Sequence, residues 1–170
     1  GVVSISLDEH ASRHLNFDKR VFMFRGASSL NLDAKGRLAI PAKHRDALQS
    51  QSAGHLVLTA HPHRCLLLYP QPAWEPIQSK MMSLSSFDKR SSALQRLLVG
   101  YAEDIEMDAA GRLLVSPVLR DFAGLDKQAM LVGQGSHFEL WNMEAWRAQL
   151  DSVMAGDDLS LPSELEGFSL

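Results

Sequence analysis

Apolar residues along this chain fall mostly in short runs bounded by turn residues, and only a few stretches carry helical spacing. The pattern predicts eight short strands. Four lie at Ser29 to Leu32, Arg37 to Ile40, His55 to Ala60 and Cys65 to Tyr69; four more lie at Asp104 to Met107, Arg112 to Val115, Ala129 to Val132 and Phe138 to Trp141. A short helix opened by proline, Pro41 or Pro117, follows the second strand of each set, because proline tolerates the first helical turn. Ser116 is placed to cap the second of these helices. Longer helices are expected from Pro72 to Leu84 and from Met143 to Met154. Between the two sets, Phe87 to Val99 carries Leu94, Leu97 and Leu98 at helical spacing, so helix and not a flexible linker joins them.

The two sets are copies of one another. Asp33-Ala-Lys-Gly-Arg-Leu-Ala-Ile-Pro-Ala-Lys-His-Arg-Asp46 aligns without gaps on Asp108-Ala-Ala-Gly-Arg-Leu-Leu-Val-Ser-Pro-Val-Leu-Arg-Asp121, with seven of 14 positions identical at a spacing of 75. Leu66-Leu-Leu-Tyr69 before Trp74 then lies over Phe138-Glu-Leu-Trp141 before Trp146, at a spacing of 72. A connecting loop shorter by three residues accounts for the change. The expected organisation is α+β, with two tandem β-β-α-β-β-α modules packed as one pseudo-symmetric rigid body. Residues 27–74 form the first module, 75–102 the connecting helices, 103–146 the second module, and 147–170 a helix end with an acidic tail. Residues 1–22 have poor periodicity and mixed charge, and are expected to be an extension outside the core fold.

Composition and charge narrow the function. Hydrophobic residues make up 45% of the 170 and charged ones 22%, enough for a real core. No apolar run approaches the ~18 residues that a membrane span needs. Asp8, Glu9, His10 and Arg13 stand where a secretory signal would be apolar, and the single cysteine, Cys65, rules out an intrachain disulfide. These features point to a cytoplasmic protein. The net charge of −3 conceals a strong asymmetry: Lys19 to Arg45 holds seven basic residues against Asp33 alone, whereas Asp151 to Leu170 holds five acids and no base. Local sign decides how a face meets a polyanion.

Candidate chemistry sits in the repeated turn. Asp at the first position and Gly at the fourth favour a type I turn with the glycine at positive φ. Asp33 would hold such a turn through side-chain-to-backbone bonds and orient Arg37, and Asp108 would do the same for Arg112. Turn geometry alone does not demand arginine at 37, and a guanidinium at an exposed tip suits bidentate reading of guanine or a clamp on phosphate. Lys35, at the crown, offers a mobile point charge. Arg25, Lys43 and Arg45 are candidate phosphate contacts, although Arg45 and Arg120, each followed by aspartate, read first as structural ion pairs. The second copy keeps Arg112 but has Ala110 in place of Lys35, and Val118-Leu119 in place of Lys43-His44, so it should contribute less to phosphate binding. His61-Pro-His63-Arg-Cys65 lacks a second ligand pair for zinc. No nucleophile elbow, phosphate-binding glycine loop or metalloprotease helix is present, so no catalytic, cofactor or metal site and no small-molecule substrate is expected.

The turn resembles the SpoVT-AbrB DNA-binding fold, and its tandem form resembles the MraZ family. Three phrases carry the likeness: Met23-Phe-Arg-Gly26, Asp33-x-Lys-Gly-Arg-Leu-x-x-Pro-x-x-x-Arg45 and Asp108-x-x-Gly-Arg-Leu-x-x-x-Pro-x-x-Arg120. The resemblance implies swapped-hairpin modules, assembly of identical subunits into a ring, and contact with double-stranded DNA through the Asp-x-x-x-Arg turns. It also implies a nucleoid-associated repressor that binds repeated promoter boxes upstream of its own cell-division and cell-wall gene cluster. Two alternatives remain: an AbrB-like antitoxin or transition-state regulator, and an oligomeric scaffold that binds no DNA. Steep weakening with salt would mark the DNA binders.

Overall fold

The computed structural model describes residues 23–156 and 162–169. The expected extension at 1–22 and part of the acidic tail lie outside the described residues. In chain order the elements are β1 (Ala27–Asn31), β2 (Arg37–Ala39), α1 (Ala42–Ser52), β3 (His55–Ala60), β4 (Leu66–Pro70) and α2 (Gln71–Met82). After the linking α3 (Lys89–Leu98) come β5 (Glu103–Glu106), β6 (Arg112–Leu114), α4 (Pro117–Ala123), β7 (Gln128–Gly133), β8 (Phe138–Asn142) and α5 (Met143–Ala155). All eight expected strands form, with ends shifted by at most two residues. Ser163–Leu165 makes one 3₁₀ turn in the tail.

The halves exchange strands. One sheet runs β1-β7-β8-β4-β3-β5, so each half lends its first strand to the other, and β2 pairs with β6 in a separate two-stranded ribbon. The register exposes the internal symmetry. Leu38 lies opposite Leu113 in the ribbon, and Leu67 lies opposite Glu139 where β4 meets β8. Each pair joins the same position of the two copies, as a pseudo-twofold axis through both contacts requires. This is the α+β swapped-hairpin arrangement expected from the sequence.

Alternation along the strands divides the side chains between two faces. Leu66 and Leu68 of β4 join Leu38, Ile40, Leu48, Leu113, Val115, Leu119, Leu131 and Phe138 in one core drawn from both halves. Leu67 and Tyr69 face the other way and meet Trp74 of α2, with Val57 and part of α3. Cys65, Val132 and Trp141 pack against Trp146 of α5 in the matching place. The linking α3 is capped by Asp88, whose side chain accepts the Arg90 N–H, and is held to the sheet by the Thr59 hydroxyl, which donates to the Leu98 carbonyl at 2.6 Å.

The connecting loop alone does not account for the change in repeat spacing. Helix α1 has 11 residues and α4 has 7, while the segment after the helix is two residues longer in the second copy and the β7–β8 loop one residue shorter than the β3–β4 loop, which together give the shift of three. Ser116 caps α4 as expected, accepting the Leu119 N–H. The shorter helix ends at Gly124 in the left-handed region, whereas α1 ends there on Ala53.

Candidate nucleic-acid interface

Both repeated turns close in the same way. The Gly36 N–H donates to the Asp33 carbonyl at 3.0 Å and the Asp33 N–H to the Arg37 carbonyl at 2.9 Å, with Gly36 at φ +85°. Gly111, at φ +75°, repeats this with Asp108 and Arg112. The aspartate side chain then organises what the backbone has shaped. Asp33 Oδ1 accepts the N–H groups of Lys35 and Arg37, both at 2.9 Å, while Oδ2 accepts Arg37 Nε at 2.8 Å. Asp108 holds Ala110 and Arg112 through Oδ1, and Arg112 Nε through Oδ2 at 3.0 Å. The bond from the Arg37 amide is the main reason that the Asp33 carboxyl sits below its usual range, and the Arg112 amide does the same for Asp108.

The ribbon brings the two arginines together. Arg37 lies opposite Leu114 and Arg112 opposite Ala39, so all four occupy one face while Leu38 and Leu113 turn into the core. Diagonal neighbours of this kind are about 7–8 Å apart. Each guanidinium spends its Nε on its own aspartate, and among the described residues no bond engages its terminal amino groups. Those groups are the ones that make bidentate contacts to a guanine edge or a phosphate. Lys35 stands exposed on the first turn and Ala110 takes its place on the second; Glu103, Asp104 and Glu106 of β5 gather around Leu114 and Ser116, and Leu114 lies opposite Arg37.

The remaining candidates separate into two groups. Arg25 and Lys43 are exposed, and Lys43 reaches Gly26, where an added Cβ would lie 3.0 Å from Nζ; no described contact joins either residue to the turns. Arg45 and Arg120 correct the ion-pair expectation. Neither pairs with the aspartate after it: Arg45 Nε donates to the Ile40 carbonyl at 2.7 Å and Arg120 Nε to the Val115 carbonyl at 3.0 Å. Adjacent residues on a helix do not face each other, so the Arg-Asp dipeptide could not form such a pair within its own helix. The available signal was the survival of this arginine at the same place in both copies.

The chain is thus a strand-swapped α+β unit that displays twin aspartate-oriented arginines on one ribbon. The chain belongs to the MraZ family: it matches the MraZ protein family, described as antitoxin-like, over residues 23–97 and again over 98–162. A protein of Methylobacillus flagellatus named transcriptional regulator MraZ is 80% identical over 148 residues, which is 87% of this chain and all of that relative. Proteins of the same name from Nitrosospira multiformis and Thiobacillus denitrificans are 59% and 55% identical over the same coverage. The family is one of transcriptional regulators and not of enzymes. Among the described residues no helix is long and apolar enough to cross a membrane.

Proposed function

We propose that this chain is a sequence-specific DNA-binding repressor that reads double-stranded promoter repeats upstream of its own cell-division and cell-wall gene cluster. The observation that carries the reading is the ribbon face, where Arg37 and Arg112 share one surface with their terminal amino groups free. A two-stranded ribbon fits the major groove, and guanidinium groups held in fixed orientations suit guanine. Lys35 supplies a phosphate contact to the first half, and Arg25 with Lys43 extends the basic surface. The second turn contributes less, because it lacks that lysine. Asp33 and Asp108 act by aiming the arginines and not by touching DNA.

One protomer offers few contacts, so operator affinity comes from several copies held in a closed ring over repeated boxes. Avidity of this kind gains roughly 10²–10⁴ where geometry allows simultaneous contact. The test is a titration of labelled duplex from upstream of the gene against a scrambled duplex, at several salt concentrations. Preference for the native duplex with a steep loss of affinity as salt rises is expected. Equal affinity for both duplexes would end the claim of sequence specificity, and no binding to either would favour the scaffold reading.

A further inference from the structure

The two turns do not stand alone, and what supports each of them comes from the other half of the chain. The Gly36 carbonyl accepts the Val115 N–H at 2.9 Å, and the Gly111 carbonyl accepts the Ile40 N–H at 2.8 Å. Val115 and Ile40 follow the ribbon strands of the opposite copy. Their own carbonyls receive Arg120 Nε and Arg45 Nε. Each arginine side chain then lies close against the glycine of the turn. An added Cβ at Gly36 would sit 2.6 Å from Arg120 Nε and 2.8 Å from its Cζ, and one at Gly111 would collide with Arg45 in the same manner. The glycines are therefore needed for this close approach as well as for positive φ.

We infer that Arg120 and Arg45 are positioning residues, each setting the reading turn of the opposite half: Arg120 holds the Asp33–Arg37 turn, and Arg45 holds the Asp108–Arg112 turn. Arg120 rises from α4, whose first turn is fixed by the Ser116 cap, so its base is rigid. The crossing couples the halves, because displacing one arginine loosens the turn that lies in the other copy. The inference rests on the proposed role of the turns in reading DNA, but the brace itself is measurable without DNA.

The first test is amide hydrogen exchange on the full chain alone. Arg120→Ala should speed exchange at Lys35, Gly36 and Arg37 by about tenfold, as loss of an interaction worth roughly 1.4 kcal/mol would, and leave Ala110, Gly111 and Arg112 unchanged. Arg45→Ala should give the mirror result. Equal acceleration at both turns, or acceleration at the turn of the same copy, overturns the inference.

A second pair of variants keeps the test decisive if alanine unfolds the chain. Glutamine places its Nε2 the same number of bonds from Cα as arginine Nε, so Arg120→Gln should keep the bond to Val115 and the protection of the first turn. Arg120→Lys keeps the charge but sets a methylene there, and should lose both. Better rescue by lysine would mean that Arg120 acts by charge, on phosphate, and would refute the brace.

Operator titrations complete the case. Arg120→Ala should be non-additive with Arg37→Ala and additive with Arg112→Ala. Operator binding that depends on Arg37 but ignores Arg120→Ala would reduce the brace to a structural contact. Binding that ignores both Arg37 and Arg112 would sink the DNA reading of the turns, while the exchange data would still judge the brace.

Discussion

Replacing Gly36 by alanine separates backbone strain from the cost of disturbing the arginine brace, because the chain contains its own control. At φ +85° an L residue is strained by about 1–2 kcal/mol. The new Cβ would also lie 2.9 Å from the Val115 carbonyl oxygen, which is backbone, and would push Arg120 off that oxygen. Losing the half-buried Arg120 bond adds about 0.5–1.5 kcal/mol. The sum is about 1.5–3.5 kcal/mol, or a fall of roughly 3–14 °C in Tm for a chain of this size. Gly124 sits at φ +61° with nothing within 4 Å of where its Cβ would be, so Gly124→Ala should cost only the strain, about 1–2 kcal/mol. Urea and thermal denaturation at one fixed protomer concentration would compare the two, since assembly shifts apparent stability. A Gly36→Ala variant no less stable than Gly124→Ala would refute the close approach of Arg120.

Further expectations follow from the core. Burial against Phe24 and Phe138, helped by Lys43, holds His44 below its ordinary pKa of 6.5, so the unfolded chain takes up the proton first. Stability should therefore fall as pH drops from about 7 toward the folded pKa; His44→Leu, which copies Leu119 of the second half, should flatten that loss in a Tm-versus-pH series. Phe138→Ala should cost about 3–5 kcal/mol, and because one core joins both halves, circular dichroism and tryptophan fluorescence should report one shared transition; two separate transitions would contradict the shared core. Burial pushes the Cys65 thiol up to about 12, so it should resist iodoacetamide in the native protein at pH 8 and react once unfolded.

Much of this architecture was legible in the sequence because its signals are local. Alternation marks the strands, and Asp-x-x-Gly-Arg encodes the turn through short-range hydrogen bonds that hold at both sites. Partner choice was not legible from alternation: nothing in the run Ala27 to Asn31 says that it pairs with β7 and not with β2, which follows it directly. The shift in repeat spacing was visible, but whether helix or loop absorbed it depends on where α4 stops, and Gly124 ends it early. Arg45 and Arg120 were misread because neighbours in sequence suggested a charge pair. Their partners are instead a carbonyl five residues back and a glycine in the other copy, a contact that exists only after the strands have exchanged.

In the proposed function the ribbon face reads DNA through Arg37, with Arg112 in a lesser role. A titration of the promoter duplex with the parent chain, Arg37→Ala, Arg112→Ala, the double variant and Lys35→Ala tests it directly, after each has been checked for an unchanged fold and assembly size. Arg37→Ala should cost about 1–3 kcal/mol per engaged site and relax preference at one operator position. Lys35→Ala should weaken all duplexes alike and flatten the salt slope, and Arg112→Ala should be milder than Arg37→Ala. Parent-like binding by the double variant would refute DNA reading by the ribbon and place the DNA surface on another face of the molecule.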